Sequence, residues 1–136
     1  MAIFAIVGGL ALFVSFDTYR GYAFQNEVNT VVGLLAKARS RSMANIDAKT
    51  HGVEIFTNRY VVFEGPTYDP MSSLNEVTPT DTNILHSGDS APLLTEVVFD
   101  QLDGKATLTP ATGNLKLTMN AHSVTFNINP EGRIDW

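Results

Sequence analysis

The chain has 136 residues, no cysteine and a net charge of −5. That length suits one globular domain, and the lack of cysteine excludes disulfides and thiolate metal sites. The charge is divided unevenly: Arg20, Lys37, Arg39 and Arg41 against Asp17 and Glu27 leave +2 over residues 1–46, whereas five basic and twelve acidic side chains leave −7 over residues 47–136. An acidic C-terminal part argues against broad nucleic-acid binding, which needs a basic footprint. No Asn-x-Ser/Thr acceptor occurs, so nothing points to N-glycosylation.

Residues 1–46 contain no proline, the residue that breaks a helix interior. The first sixteen (MAIFAIVGGLALFVSF) carry no charge and are apolar on every face, which places such a helix in lipid or inside other protein. From Asp17 onward the apolar residues narrow to a stripe at helical spacing: Phe24, Val28, Val31, Leu35, Ala38 and Ile46. A helix over all 46 residues would be about 70 Å long. A domain of this size has a radius of gyration of about 14 Å, so the front half is expected to protrude. The apolar run spans about 24 Å, short of the roughly 30 Å of a bilayer core. A secretory signal peptide fits poorly, because no lysine or arginine precedes the run. Gly8 and Gly9 weaken a helix but let neighbouring backbones approach closely; toleration by lipid and a packing role remain equal readings. Lys37 and Arg41 share a face, read as solvated.

The helix is expected to end near residues 45–48. Periodicity then changes to two. Residues 51–56 (HGVEIF) and 60–64 (YVVFE) form a hairpin about residues 57–59. Residues 65–92 hold four of the six prolines and read as a long irregular segment, with a brief strand possible at Ile84–Leu85. Strand signals resume at residues 94–99, 105–109, 114–119 and 122–129, with Asp103–Gly104 as a turn. Leu115, Leu117 and Met119 alternate with Lys116 and Thr118, and Val124, Phe126 and Ile128 with Ser123, Thr125 and Asn127. Such alternation marks antiparallel strands with one face on a core.

The motifs of catalysis are missing. His51, His86 and His122 each stand without a second ligand at helical spacing and read as surface or strand-end residues. There is no G-x-S-x-G and no phosphate cradle. Asp81, Asn83 and Asp89 fit turns better than calcium ligation. No enzyme, cofactor or metal is expected.

One uninterrupted helix, apolar in front and amphipathic behind, ahead of a small antiparallel β domain, resembles a type IV pilin or pseudopilin. IFAIVGGLALFVSF followed by DTYRGY resembles the membrane half of that family's first helix. VVGLLAKARSRSMAN followed by HGVEIFTNRYVVFEG, with VTFNINPEGRI at the end, is similar to the GspH/FimT-like minor pseudopilins and minor pilins. The resemblance implies an α+β fold, with residues 1–22 as the membrane and filament-core half of the helix and residues 23–136 as the globular domain. Within the latter, residues 23–47 are the amphipathic half of the helix and residues 48–136 the β-sheet. It implies a structural subunit of a type IV pilus or type II secretion pseudopilus, anchored in the cytoplasmic membrane and then packed with its own copies and other pilins in a periplasmic or extracellular filament. Ile3, Phe4, Val7, Gly8, Gly9, Leu10, Phe13 and Val14 would make filament-core contacts, and Phe24, Val28, Val31 and Leu35 would dock the helix on the domain. The alternative is a pilin-like subunit with a binding role in surface adhesion or DNA uptake, with nucleic acid disfavoured by the charge. Two departures stand. The family's leader with its cleavage site and the glutamate that follows are not visible, which a front truncated by roughly six residues, or a true loss of the glutamate, would explain. The helix-bending proline is also missing.

Overall fold

The computed structural model describes the backbone of residues 2–136 and the side chains from Thr18 onward. Helix α1 runs unbroken over Ala2–Met43, 42 residues, or about 63 Å at 1.5 Å per residue. Nine short strands follow: β1 His51–Ile55, β2 Arg59–Glu64, β3 Glu76–Pro79, β4 Leu85–Ser87, β5 Glu96–Phe99, β6 Ala106–Thr109, β7 Leu115–Met119, β8 His122–Ile128 and β9 Ile134–Asp135. They form a sheet of order β3-β2-β1-β5-β6 and a second of order β4-β7-β8-β9, with every strand pair antiparallel. The class is α+β, one N-terminal helix packed on antiparallel sheets.

The helix stripe and the inward faces of both sheets share one core. Phe24, Val28, Val31, Leu35 and Ala38 meet Val53, Ile55, Tyr60, Val62, Val97 and Phe99 from the first sheet. From the second come Leu115, Leu117, Met119, Phe126 and Ile128. Three apolar surfaces that would each be wet in isolation thus exclude water together, at about 25 cal/mol per Å² buried.

The helix stops earlier than the apolar stripe implied. Asn45 turns left-handed at φ 53°, and Asp47 and Ala48 follow it there around a 3-10 turn at Ile46–Ala48. Ile46, read from its spacing as the last residue of the stripe, is therefore 43% exposed. Ser42, on the last turn, ties the helix end to the sheet. Its buried hydroxyl accepts the His51 backbone N–H at 2.7 Å and donates to the Phe99 carbonyl at 2.8 Å.

The segment 65–92 is less irregular than its proline content implied. It contains β3, which adds to the β2 edge with Val61 opposite Val77, and β4, which adds to β7. Both strands are short, hold no fully buried residue, and gain their hydrogen bonds from an edge laid down elsewhere in the chain. Pro79 ends β3 at an edge, where a missing N–H is tolerated. The stretch between β2 and β3 folds back over the outer face of the first sheet. There Tyr68 sits edge-on to Phe56 and Phe63, with ring centroids 5.6 and 5.8 Å away, and its N–H donates to Glu96 Oε2 at 3.0 Å. This strap explains why Phe63, on the face turned away from α1, is as buried as the core; Val61 on the same face is buried too.

Candidate functional site

The residues that carry the expected function lie along α1. Ile3, Phe4, Val7, Gly8, Gly9, Leu10, Phe13 and Val14 fall outside the described side chains. Among the described residues, no helix is long and apolar enough to cross a membrane; the side chains of the charge-free run of residues 1–16 lie outside the description. Further along, Thr18, Tyr19, Arg20 and Tyr22 are exposed, and Phe24 is the first buried residue among the described side chains, its ring stacked on His122 with centroids 5.7 Å apart. Val28, Val31 and Leu35 follow at three- and four-residue steps and are buried in the shared core, so the structure brings these four together on one face.

Polar contacts missed at the sequence level reinforce that seating. Lys37 and Arg41, read as a solvated face, both reach the Glu76 carboxylate on β3, the Arg41 contact measuring 2.6 Å. The Lys37 hydrogen bond, then that of Arg41, holds Glu76 below the usual carboxylate range against the opposing effect of burial. The i, i+4 spacing of the two cations was visible, but their partner is 35 or more residues away and only the sheet brings it near. Arg39 donates to the carbonyls of Gly104 at 3.2 Å and Glu131 at 3.1 Å, fastening the helix to two turns. Beside it a cleft of about 650 Å³ is lined by Val32, Ala36, Met43, Ile134 and Trp136.

The histidines occupy three different environments. His122 is exposed at a strand start, whereas His51, read as a surface or strand-end residue, is buried under the helix end. Burial depresses its basicity, with Glu64 opposing and Arg41 assisting. His86 is half-buried and bonded through both ring nitrogens. Among the described residues, no group of three or more His, Asp or Glu side chains could hold a metal ion. Asp81 closes a turn by accepting the Asn83 N–H at 2.9 Å, and Asp89 accepts from Lys116 at 3.1 Å and Thr125 at 3.3 Å.

On the outer face of the first sheet Glu54 lies directly opposite Glu96 across β1 and β5. Burial, then the Glu96 charge, pushes the Glu54 carboxyl up to about 7. A carboxyl raised above its ordinary 4.5 contributes stability that is complete below that value and lost as pH rises through about 7. Glu54→Gln is therefore expected to leave the melting temperature unchanged near pH 4.5 and to raise it relative to the parent near pH 8, as read by thermal denaturation across pH. No protein-family model, no curated protein and no solved structure matches this chain.

Proposed function

We propose that the chain is a filament subunit of the type IV pilin or pseudopilin class, which polymerises through the front half of α1 while its β domain decorates the outside. The observation that carries this reading is one continuous helix over Ala2–Met43 of which Phe24 onward is seated in the β core. The preceding 22 residues, about 33 Å of rod, contain the charge-free run. A domain with a radius of gyration of about 14 Å cannot cover both halves. Lipid supplies an apolar surrounding before assembly, and like helices supply an equivalent one afterwards, so the exchange is nearly neutral. Pilus and pseudopilus share this logic.

The chain has no cysteine of its own, so single cysteines placed at Leu10 and Phe13 can be oxidised without background. Filament packing predicts ladders of crosslinked copies from membranes of cells expressing the full chain; monomer alone would overturn the proposal. A surface-adhesion role is favoured by one observation, the exposure of Met71 and Leu74 on the strap and Val77 on β3. DNA uptake has less support, because Lys105, Lys116 and Arg133 are each paired with a nearby acid, Asp103, Asp89 and Asp135.

A further inference from the structure

Three polar side chains form a row from α1 to β4, buried at its first two members and half-buried at the third. Glu27, on α1, is 7% exposed, and its Oε1 has no hydrogen-bond partner. The carboxyl faces the Tyr60 hydroxyl and the Asp81 backbone N–H. Tyr60, on β2, is buried, and its hydroxyl lies 2.9 Å from His86 Nε2. His86, on β4, closes the row with Nδ1 at 3.1 Å from the Phe56 carbonyl.

Hydrogen-bond valence orders the protons. A carbonyl oxygen only accepts, so His86 Nδ1 carries a proton. In a neutral imidazole Nε2 is then the acceptor, and the single Tyr60 proton is spent on it. Tyr60 then has no second proton to offer the Glu27 carboxyl that it faces. The row is complete only if Glu27 itself donates to the Tyr60 oxygen. A second arrangement, with the proton moved to His86 and every bond reversed between the ends, also satisfies the row, but it separates two charges in apolar surroundings. Removing the proton leaves two acceptors competing for one hydroxyl, and adding another leaves a half-buried cation without a counter-ion.

We propose that Glu27, Tyr60 and His86 act as a one-proton latch, fully bonded when carboxyl and imidazole share a single proton, which ties the β4 segment to β2 and, through Tyr60, to α1, and opens when that proton is lost or a second is gained.

The environment agrees. Burial is the main influence raising Glu27, reinforced by the Asp81 charge and opposed by Tyr60 and the Asp81 N–H. Burial also dominates at His86 and lowers it, opposed by the Phe56 carbonyl. Among the described residues neither group has a lysine or arginine as a resolved influence. In the open state the two groups return to their ordinary values of 4.5 and 6.5. Between those values open and closed forms both hold one proton, so latch stability is flat and greatest. Above 6.5 the open form sheds its proton first, and below 4.5 it gains one first, so stability falls on both sides.

The test uses the full chain in detergent micelles. In the neutral range, nitrogen and carbon NMR is expected to show His86 neutral with the proton on Nδ1, and Glu27 still protonated at a pH where exposed carboxylates have ionised. Amide exchange at Leu85–Ser87, corrected for the intrinsic rate, should quicken by up to about tenfold per pH unit beyond each end of the plateau. Glu27→Gln places an amide donor where the carboxylic proton stood. It should remove the alkaline limb, so that the variant exceeds the parent in melting temperature near pH 8.5, about two units above the ordinary histidine value. The latch is overturned if Glu27 ionises with the exposed carboxylates, or if Glu27→Gln melts lower than the parent at every pH or does not fold.

Discussion

Leu35→Ala is expected to lower stability by about 2–5 kcal/mol, the range for truncating a buried leucine. Leu35 is 1% exposed and sits within the helix stripe, surrounded by core residues of both sheets. Its removal leaves a cavity bounded by a rigid helix and two hydrogen-bonded sheets, none of which can close in without disturbing the others. A domain of this size has total stability of about 5–15 kcal/mol, so the substitution takes away a large part of it. The melting temperature should fall by about 10–20 °C, taking a few degrees per kcal/mol. Circular dichroism of the full chain in micelles provides the measurement, with the exposed neighbour Ala36 changed to serine as the control. A loss of under 1 kcal/mol, the usual bound for surface changes, would show that α1 is not seated through this residue.

Gly52→Val is expected to be more damaging still, for the opposite reason. A Cβ at residue 52 would lie 2.5 Å from Phe63 Cζ and 2.6 Å from the Val97 carbonyl oxygen. The Phe63 ring lies over Gly52 from the paired position on β2, held between that strand and Tyr68. The Val97 carbonyl belongs to β5, the other hydrogen-bonded neighbour of β1. The added side chain thus has a ring on one side and backbone on the other, and relief requires the central strands to separate. Overpacking typically costs about 1–3 kcal/mol where side chains can yield; with backbone in the way the expected loss exceeds that. Poor soluble yield, or a melting temperature below that of Leu35→Ala, would be the readout. A fold that tolerates valine here would refute the close packing of Phe63 on β1.

Glu54→Gln and Glu27→Gln share a sign at high pH but differ elsewhere. Glu54 is a carboxyl crowded by another carboxyl, whereas Glu27 belongs to a row closed by an imidazole. Only the second should show an acid limb as well as an alkaline one, and only the second should alter exchange at Leu85–Ser87.

What the sequence determined by itself was whatever depends on short spacing. The proline-free run, its charge-free front and the three-four repeat of Phe24, Val28, Val31, Leu35 and Ala38 are local properties, and the burial of that stripe follows from 3.6 residues per turn. The alternations over β7 and β8 were legible for the same reason with a period of two. Tertiary structure decided what depends on a distant partner. β3 and β4 form because β2 and β7 offer edges to them; the brief apolar pair Ile84–Leu85 hinted at β4 alone, and no pattern announced β3. The outer face of the first sheet is buried because a strap carrying Tyr68 lies on it, and the pairing of Glu54 with Glu96 depends on strand register. Lys37 and Arg41 find Glu76, Ser42 finds β1 and β5, and Glu27 finds Tyr60 and His86 only after the sheets wrap the helix. Periodicity records which face of an element avoids water, whereas hydrogen bonds and ion pairs between separate elements are settled by where folding brings their partners.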